Sequence, residues 1–138
     1  MRELMLFRIV FSLLISSLVL ASSAFAENDS PSMPVYIELR PDFIVNYTTE
    51  NNRLKYIKAS ITIRASGAQS AGIIEANMPI VRDGLVIYLS ELRANQLKGA
   101  IAREESRKGA IDVLNEKLKE ETGQEPILDV LFSSFVTQ

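Results

Sequence analysis

The amino-acid sequence predicts an α+β fold, a small antiparallel sheet with two packed helices in the order β-β-α-α-β. Three observations carry this. Residues Lys55–Ala65 alternate strictly, with Ile57, Ala59, Ile61, Ile63 and Ala65 against Lys58, Ser60, Thr62 and Arg64, which is the period of a half-buried strand. From Ser70 onward the period becomes helical. The chain then closes on a second β-type run, Ile127–Gln138. Strands first, helices next and a last strand returning to the sheet make a layered α+β domain.

The first strand is expected from Val35, with Val35, Ile37 and Leu39 on one face. Pro41 has no amide to donate and should interrupt the ladder, and Phe43–Val45 resume the extended run as far as Asn46. Thr48-Thr49-Glu50-Asn51-Asn52 has turn chemistry. Asn46-Tyr47-Thr48 matches a glycosylation acceptor pattern, but here it reads as a strand entering that turn. Val81, Leu85, Tyr88, Leu89 and Leu92 then mark one helical stripe, with Asn77 and Pro79 near its start and a helical piece, Ala71–Ala76, joining it through a kink at Pro79. A second helix runs from about Arg103 to Thr122, with Arg107, Ile111, Leu114 and Leu118 in line. Gly123 and Pro126 stop it. In the final strand, Leu128, Val130, Phe132, Ser134 and Val136 are expected on one face, and Asp129, Leu131, Ser133, Phe135 and Thr137 on the other.

Residues 1–26 carry an export pattern. Arg2 and Arg8 make a positive start, Ile9–Ala21 is an apolar run broken only by serines, and Ala24 and Ala26 are the small residues a signal peptidase reads. The competing reading is an uncleaved anchor in the inner membrane. Ile9–Ala26 would span about 27 Å of helix, slightly short of a bilayer core. Glu27–Pro34 is a polar, proline-broken spacer, expected to be disordered, and residues 35–138 form the domain.

The chain carries a net charge of −2, made one unit more negative if residues 1–26 are removed, so neither nucleic acid nor an anionic surface is expected as a partner. Cysteine and histidine are both absent. That removes disulfides, thiolate chemistry, the usual general base and the usual zinc ligands together. Glu104-Glu105 and Glu120-Glu121 are interleaved with Arg103, Arg107, Lys108, Lys117 and Lys119, and read as a solvated face with pairs such as Lys117–Glu121. Ser90 and Lys98 fit no local dyad signature, and no glycine-rich phosphate loop can be written. No catalytic residue, metal, cofactor or small-molecule substrate is expected. What remains is an interaction protein.

Three segments carry a family resemblance. They are Tyr36-Ile37-Glu38-Leu39-Arg40-Pro41-Asp42-Phe43-Ile44-Val45-Asn46; Arg53–Lys58 leading into the long strand, followed by Ile74–Asp83; and Ile127–Gln138, with Asp129-Val130-Leu131-Phe132 and the terminal Gln138. Their order and spacing over residues 35–138 resemble the flagellar basal body-associated FliL family. The resemblance implies a stomatin/prohibitin-like core, assembly into a homo-oligomeric ring around the stator units of the flagellar motor, support of torque or swarming, and no enzymatic activity. It places the protein in the periplasm or on the periplasmic face of the inner membrane, at the basal body. Family members usually keep a transmembrane helix and a longer linker, whereas here the apolar segment is serine-rich, ends in a cleavage pattern and is followed by a short spacer. That departure supports an alternative, a soluble periplasmic scaffold or binding domain of the same fold unrelated to the motor. For self-association, the polar strand face (Lys58, Ser60, Thr62, Arg64) and the charged helix are candidate surfaces.

Overall fold

The strictly alternating segment forms strand β2 (Leu54–Ala65), the middle of a three-stranded antiparallel sheet, in a computed structural model that describes residues 32–137. Ala24, Ala26 and residues 27–31 of the spacer lie outside the described residues. β1 (Val35–Thr48) precedes β2, and β3 (Ile127–Thr137) flanks it on the other side. Between β2 and β3 come α1 (Ala68–Ala76), α2 (Met78–Glu91), a 3-10 turn (Ala94–Gln96) and α3 (Ala100–Thr122). The helices cover one face of the sheet and build a single core with it.

Ile57, Ala59, Ile61, Ile63 and Ala65 are all buried by those helices, while Lys58 on the other face is exposed. β1 keeps in step with β2 through an irregularity. Leu39 pairs with Ile61 and Phe43 with Ala59, so β1 carries two more residues than β2 across this stretch. Because side chains alternate with a period of two, an insertion of two preserves the inward face, and Ile37, Leu39, Phe43, Val45 and Tyr47 all point into the core. Pro41 lies in this irregularity, after a cis Arg40–Pro41 bond. The ladder is interrupted there, as expected, but the strand continues.

β3 departs from its expected faces. Its register shifts twice against β2, with Leu128 and Ser133 as the additional residues. Each single-residue bulge turns the following side chains to the opposite face. The inward set is therefore Ile127, Val130, Phe132 and Phe135, and Ser134 and Val136 turn outward.

The helical region contains three helices. The break falls at Asn77, not at Pro79. Pro79 sits in the first turn of α2, where no amide is required, and the Asn77 side-chain amide donates to the Ile73 carbonyl at 2.8 Å, closing the end of α1. Gly99, at φ 89°, turns the chain into α3, and Gly123, at φ 73°, ends it in the left-handed conformation that favours glycine.

The buried stripe of α3 is Ser106, Ala110, Leu114 and Leu118; Leu114 and Leu118 are buried as expected, and the first half is rotated by one residue, from Arg107 and Ile111 to Ser106 and Ala110. Small residues dictate that rotation. A Cβ at position 84 would stand 3.0 Å from both Leu114 Cδ2 and Lys117 Cδ, and one at position 109 would run into Tyr88 Oη. Gly84 and Gly109 thus set how closely α2 and α3 approach. The Tyr88 hydroxyl donates to the Ser106 carbonyl at 2.8 Å, and the Ser106 hydroxyl to the Gln96 carbonyl at 3.0 Å. Burial raises the Tyr88 pKa above that of a free phenol.

α3 grips the start of β3 through one side chain. Asn115 Nδ2 donates to the Ile127 carbonyl at 2.8 Å, and the Ile127 amide donates to Asn115 Oδ1 at 3.0 Å. Both backbone groups of a buried residue are thereby satisfied.

Two predictions follow from this packing. Asn115→Ala should cost about 1–3 kcal/mol, because it strands two buried backbone groups; urea unfolding should show a lower midpoint at unchanged slope. An unchanged midpoint would mean that the pair contributes nothing. Gly109→Ala should destabilise the wild-type chain by about 1 kcal/mol, through displacement of Tyr88. The same change in a Tyr88→Phe background should be neutral or stabilising, since the hydroxyl is gone and alanine favours the helix.

Candidate functional site

Two arginines bind the layers of the domain together, and each lies beside a surface feature. The first is Arg82, on α2. Its Nη2 donates to the Pro41 carbonyl at 2.9 Å, and its guanidinium carbon lies 4.3 Å from the centroid of the Phe43 ring. A cation over an aromatic face gains from the ring quadrupole, and the hydrogen bond satisfies a carbonyl in the irregular part of β1. Around it, Arg40 pairs with Glu38 at 2.6 Å and with Asp42 at 3.6 Å, and Lys58 approaches Asp42 at 4.0 Å.

The second is Arg107, on α3. Its Nε and Nη2 donate to the two Glu104 oxygens at 2.7 and 2.6 Å, and its Nη1 donates to Asp129 Oδ1 on β3. The same Asp129 oxygen accepts the Val130 amide at 2.7 Å. A planar fork that meets one carboxylate with two donors has a fixed orientation, so Glu104 aims Arg107 at the strand. The Arg107 hydrogen bonds hold the Glu104 carboxyl below its ordinary value and raise the already high pKa of the guanidinium. Together with Asn115, this fastens α3 to the first half of β3.

Beyond that clasp, a cleft of about 560 Å³ opens between the first turns of α3 and the second half of β3. Ala100 and Arg103 form its helical wall, and Leu131, Phe132 and Phe135 its strand wall. Phe132 and Phe135 meet edge to face, with centroids 5.6 Å apart. The outer face of the sheet is the other open surface. Lys58 is exposed and Ser60, Thr62 and Arg64 are half-buried there, while Ile44 and Leu54, at 70% and 72% exposure, stand out as apolar.

The remaining sequence candidates are bound up in local structure. The Ser90 hydroxyl donates to the Ile87 carbonyl of its own helix at 2.7 Å, and Lys98 lies in the exposed loop before α3. Lys117 runs along Gly84, and it is Lys108 that approaches Glu104 at helical spacing, at 3.9 Å. Lys117–Glu121 is not among the ion pairs of the described residues. No group of three or more acidic side chains that could hold a metal ion occurs among the described residues. Glu104 is kept ionised by Arg107, which suits it to fixing a neighbour and not to donating a proton.

The roles of Arg82, Arg107 and Asn115 are not visible in the sequence patterns. Arg107 had one signal: a charged residue in an otherwise apolar stripe, with Glu104 one turn before it. Ala24 and Ala26, the cleavage pair, lie outside the described residues.

A family model described as "Flagellar basal body-associated protein FliL" matches residues 36–138. No curated protein matches the chain.

The Arg107–Glu104 pair has a pH signature. The folded-state pKa of Glu104 is depressed, so its contribution to stability is present above the unfolded value of about 4.5 and is lost as pH falls towards the folded one. Glu104→Gln should therefore be less stable than the wild type at pH 7, and the difference should narrow at pH 3. Urea unfolding at both pH values checks this; an equal gap at the two would contradict it.

Proposed function

The chain belongs to the flagellar basal body-associated FliL family, and from that membership we propose that it is a non-enzymatic, self-associating companion of the stator units, working in the periplasm beside the motor to support torque in swimming or swarming. The observation that carries this reading is the extent of the family match, which takes in residues 36–138 and so almost all of the described domain. The geometry supports it in kind. Among the described residues, a sheet with one open face, two edge strands and a cleft beside one of them has several surfaces on which copies or partners can meet, and heterologous contacts of that type close rings.

Export belongs to the same reading. Residues 1–26 take the chain across the inner membrane, and Ala24 and Ala26 direct cleavage before Glu27. Among the described residues no helix is long and apolar enough to cross a membrane, so any anchoring falls to residues 1–26. The likeness of the core to stomatin/prohibitin domains remains part of the proposal.

A deletion strain should swim and swarm less well on soft and firm agar, and a fluorescent fusion directed to the periplasm should form foci at flagellar motors. Normal motility together with diffuse periplasmic fluorescence would favour the scaffold reading outside the motor. N-terminal sequencing of the exported protein should find Glu27 first; a start at Met1 would mean that the segment is kept as an anchor.

A further inference from the structure

The cleft beside β3 has a shape that recurs where folded domains receive extended peptides: a strand edge on one side and a helix on the other. β3 lies at the edge of the sheet. Both inward Phe132 and Phe135 and outward Leu131 line the cleft, as expected of a groove running along the free edge of the strand. Between the bulges at Leu128 and Ser133, the stretch Asp129–Phe132 keeps regular register with β2. The Val130 amide there is already taken by Asp129 Oδ1, so a further strand would pair with the edge-side backbone groups that follow it.

The charges select the occupant. Arg107 already pairs with two carboxylates, Glu104 and Asp129. Arg103, which also lines the cleft, gives its Nε to the Gly99 carbonyl at 3.3 Å and has no carboxylate within ion-pair distance among the described residues. The groove therefore offers an apolar floor, a strand edge and one uncommitted guanidinium. A second copy of the chain fits this poorly. It carries two strand edges, β1 and β3, and the inward side chains of both, Ile37 and Leu39 on one and Ile127 and Val130 on the other, are buried in its own core and so are not free to enter the cleft.

We propose that the α3–β3 cleft is a docking site for an extended peptide segment of a partner protein, apolar at alternate positions and bearing a carboxylate, which adds to β3 as a fourth strand. Main-chain hydrogen bonds to β3 give the segment its direction. Alternate side chains enter against Phe132, Phe135 and Ala100, and the carboxylate meets Arg103. This does not depend on the partner being a motor component.

The test uses the full chain and a fluorescein-labelled peptide, Thr-Val-Thr-Glu-Thr-Val-Thr-Val, whose glutamate shares one strand face with the valines, followed by fluorescence polarisation. Saturable binding is expected, weakened about tenfold by Arg103→Glu and regained by that variant when the glutamate of the peptide is replaced by lysine. Arg103 is exposed, so this substitution leaves the fold intact, which circular dichroism checks. N-methylation of the peptide amides on one edge should abolish binding, and methylation of the opposite edge should spare it. Undiminished binding by Arg103→Glu, indifference to both methylations, or no saturable binding up to the solubility limit of the peptide would each overturn the assignment. So would concentration-dependent self-association of the chain alone that Arg103→Glu abolishes, which would give the cleft to a second copy.

Discussion

Everything in this domain depends on burying one face of β2. Five inward residues of that strand, Ile57 to Ala65, have essentially no solvent exposure, and a slip of one residue would turn all of them to water. The neighbouring strands obey that constraint in different ways. β1 accommodates Pro41 by adding two residues, which leaves its inward set in phase. β3 twice adds one residue and changes face each time. The row Phe43–Ala59–Phe135 shows the result: two large rings flank a small central side chain. The helices then lie over this face, with Gly84 and Gly109 allowing α2 and α3 to approach closely.

The parts that were legible in the sequence are those in which a single periodicity ran without interruption. β2 and the stripe of α2 could be read directly, and so could the end of α3 at Gly123. The faces of β3 could not. A bulge is a relation between two strands, and nothing within Ile127–Gln138 marks Leu128 or Ser133 as additional. Leu114 and Leu118 of α3 were read correctly, but the first half of the stripe was misread by one position because hydrophobic patterning gives weight to Ile111 and little to Ser106, Gly109 or Ala110, although the small residues decide which side of the helix can approach Tyr88. Asn115, Arg82 and Arg107 act across long separations in the chain, linking α3 to β3 and α2 to β1. Such contacts leave no local signature.

The structure also gives a physical reason for the family segments. Pro41 and Phe43 in the first segment meet Arg82 in the second, through a hydrogen bond and a cation–π contact. Asp129 in the third is held by Arg107, and Ile127 by Asn115. These residues fix layers to one another, and no poised acid–base pair accompanies them among the described residues. The two arginine clusters stand beside the open surfaces of this sheet.

The central claim is that α3 holds β3 at one end only, leaving the other end as a free edge beside a cleft. Native-state hydrogen exchange, resolved residue by residue, tests it directly. The inward half of β2 and the clasped amides of Ile127 and Val130 should exchange only through global unfolding, whereas cleft-side amides of β3 beyond Leu131 should exchange at least about tenfold faster, by local opening. Uniform protection along the whole of β3 would contradict this account, since it would mean that the strand has no free edge.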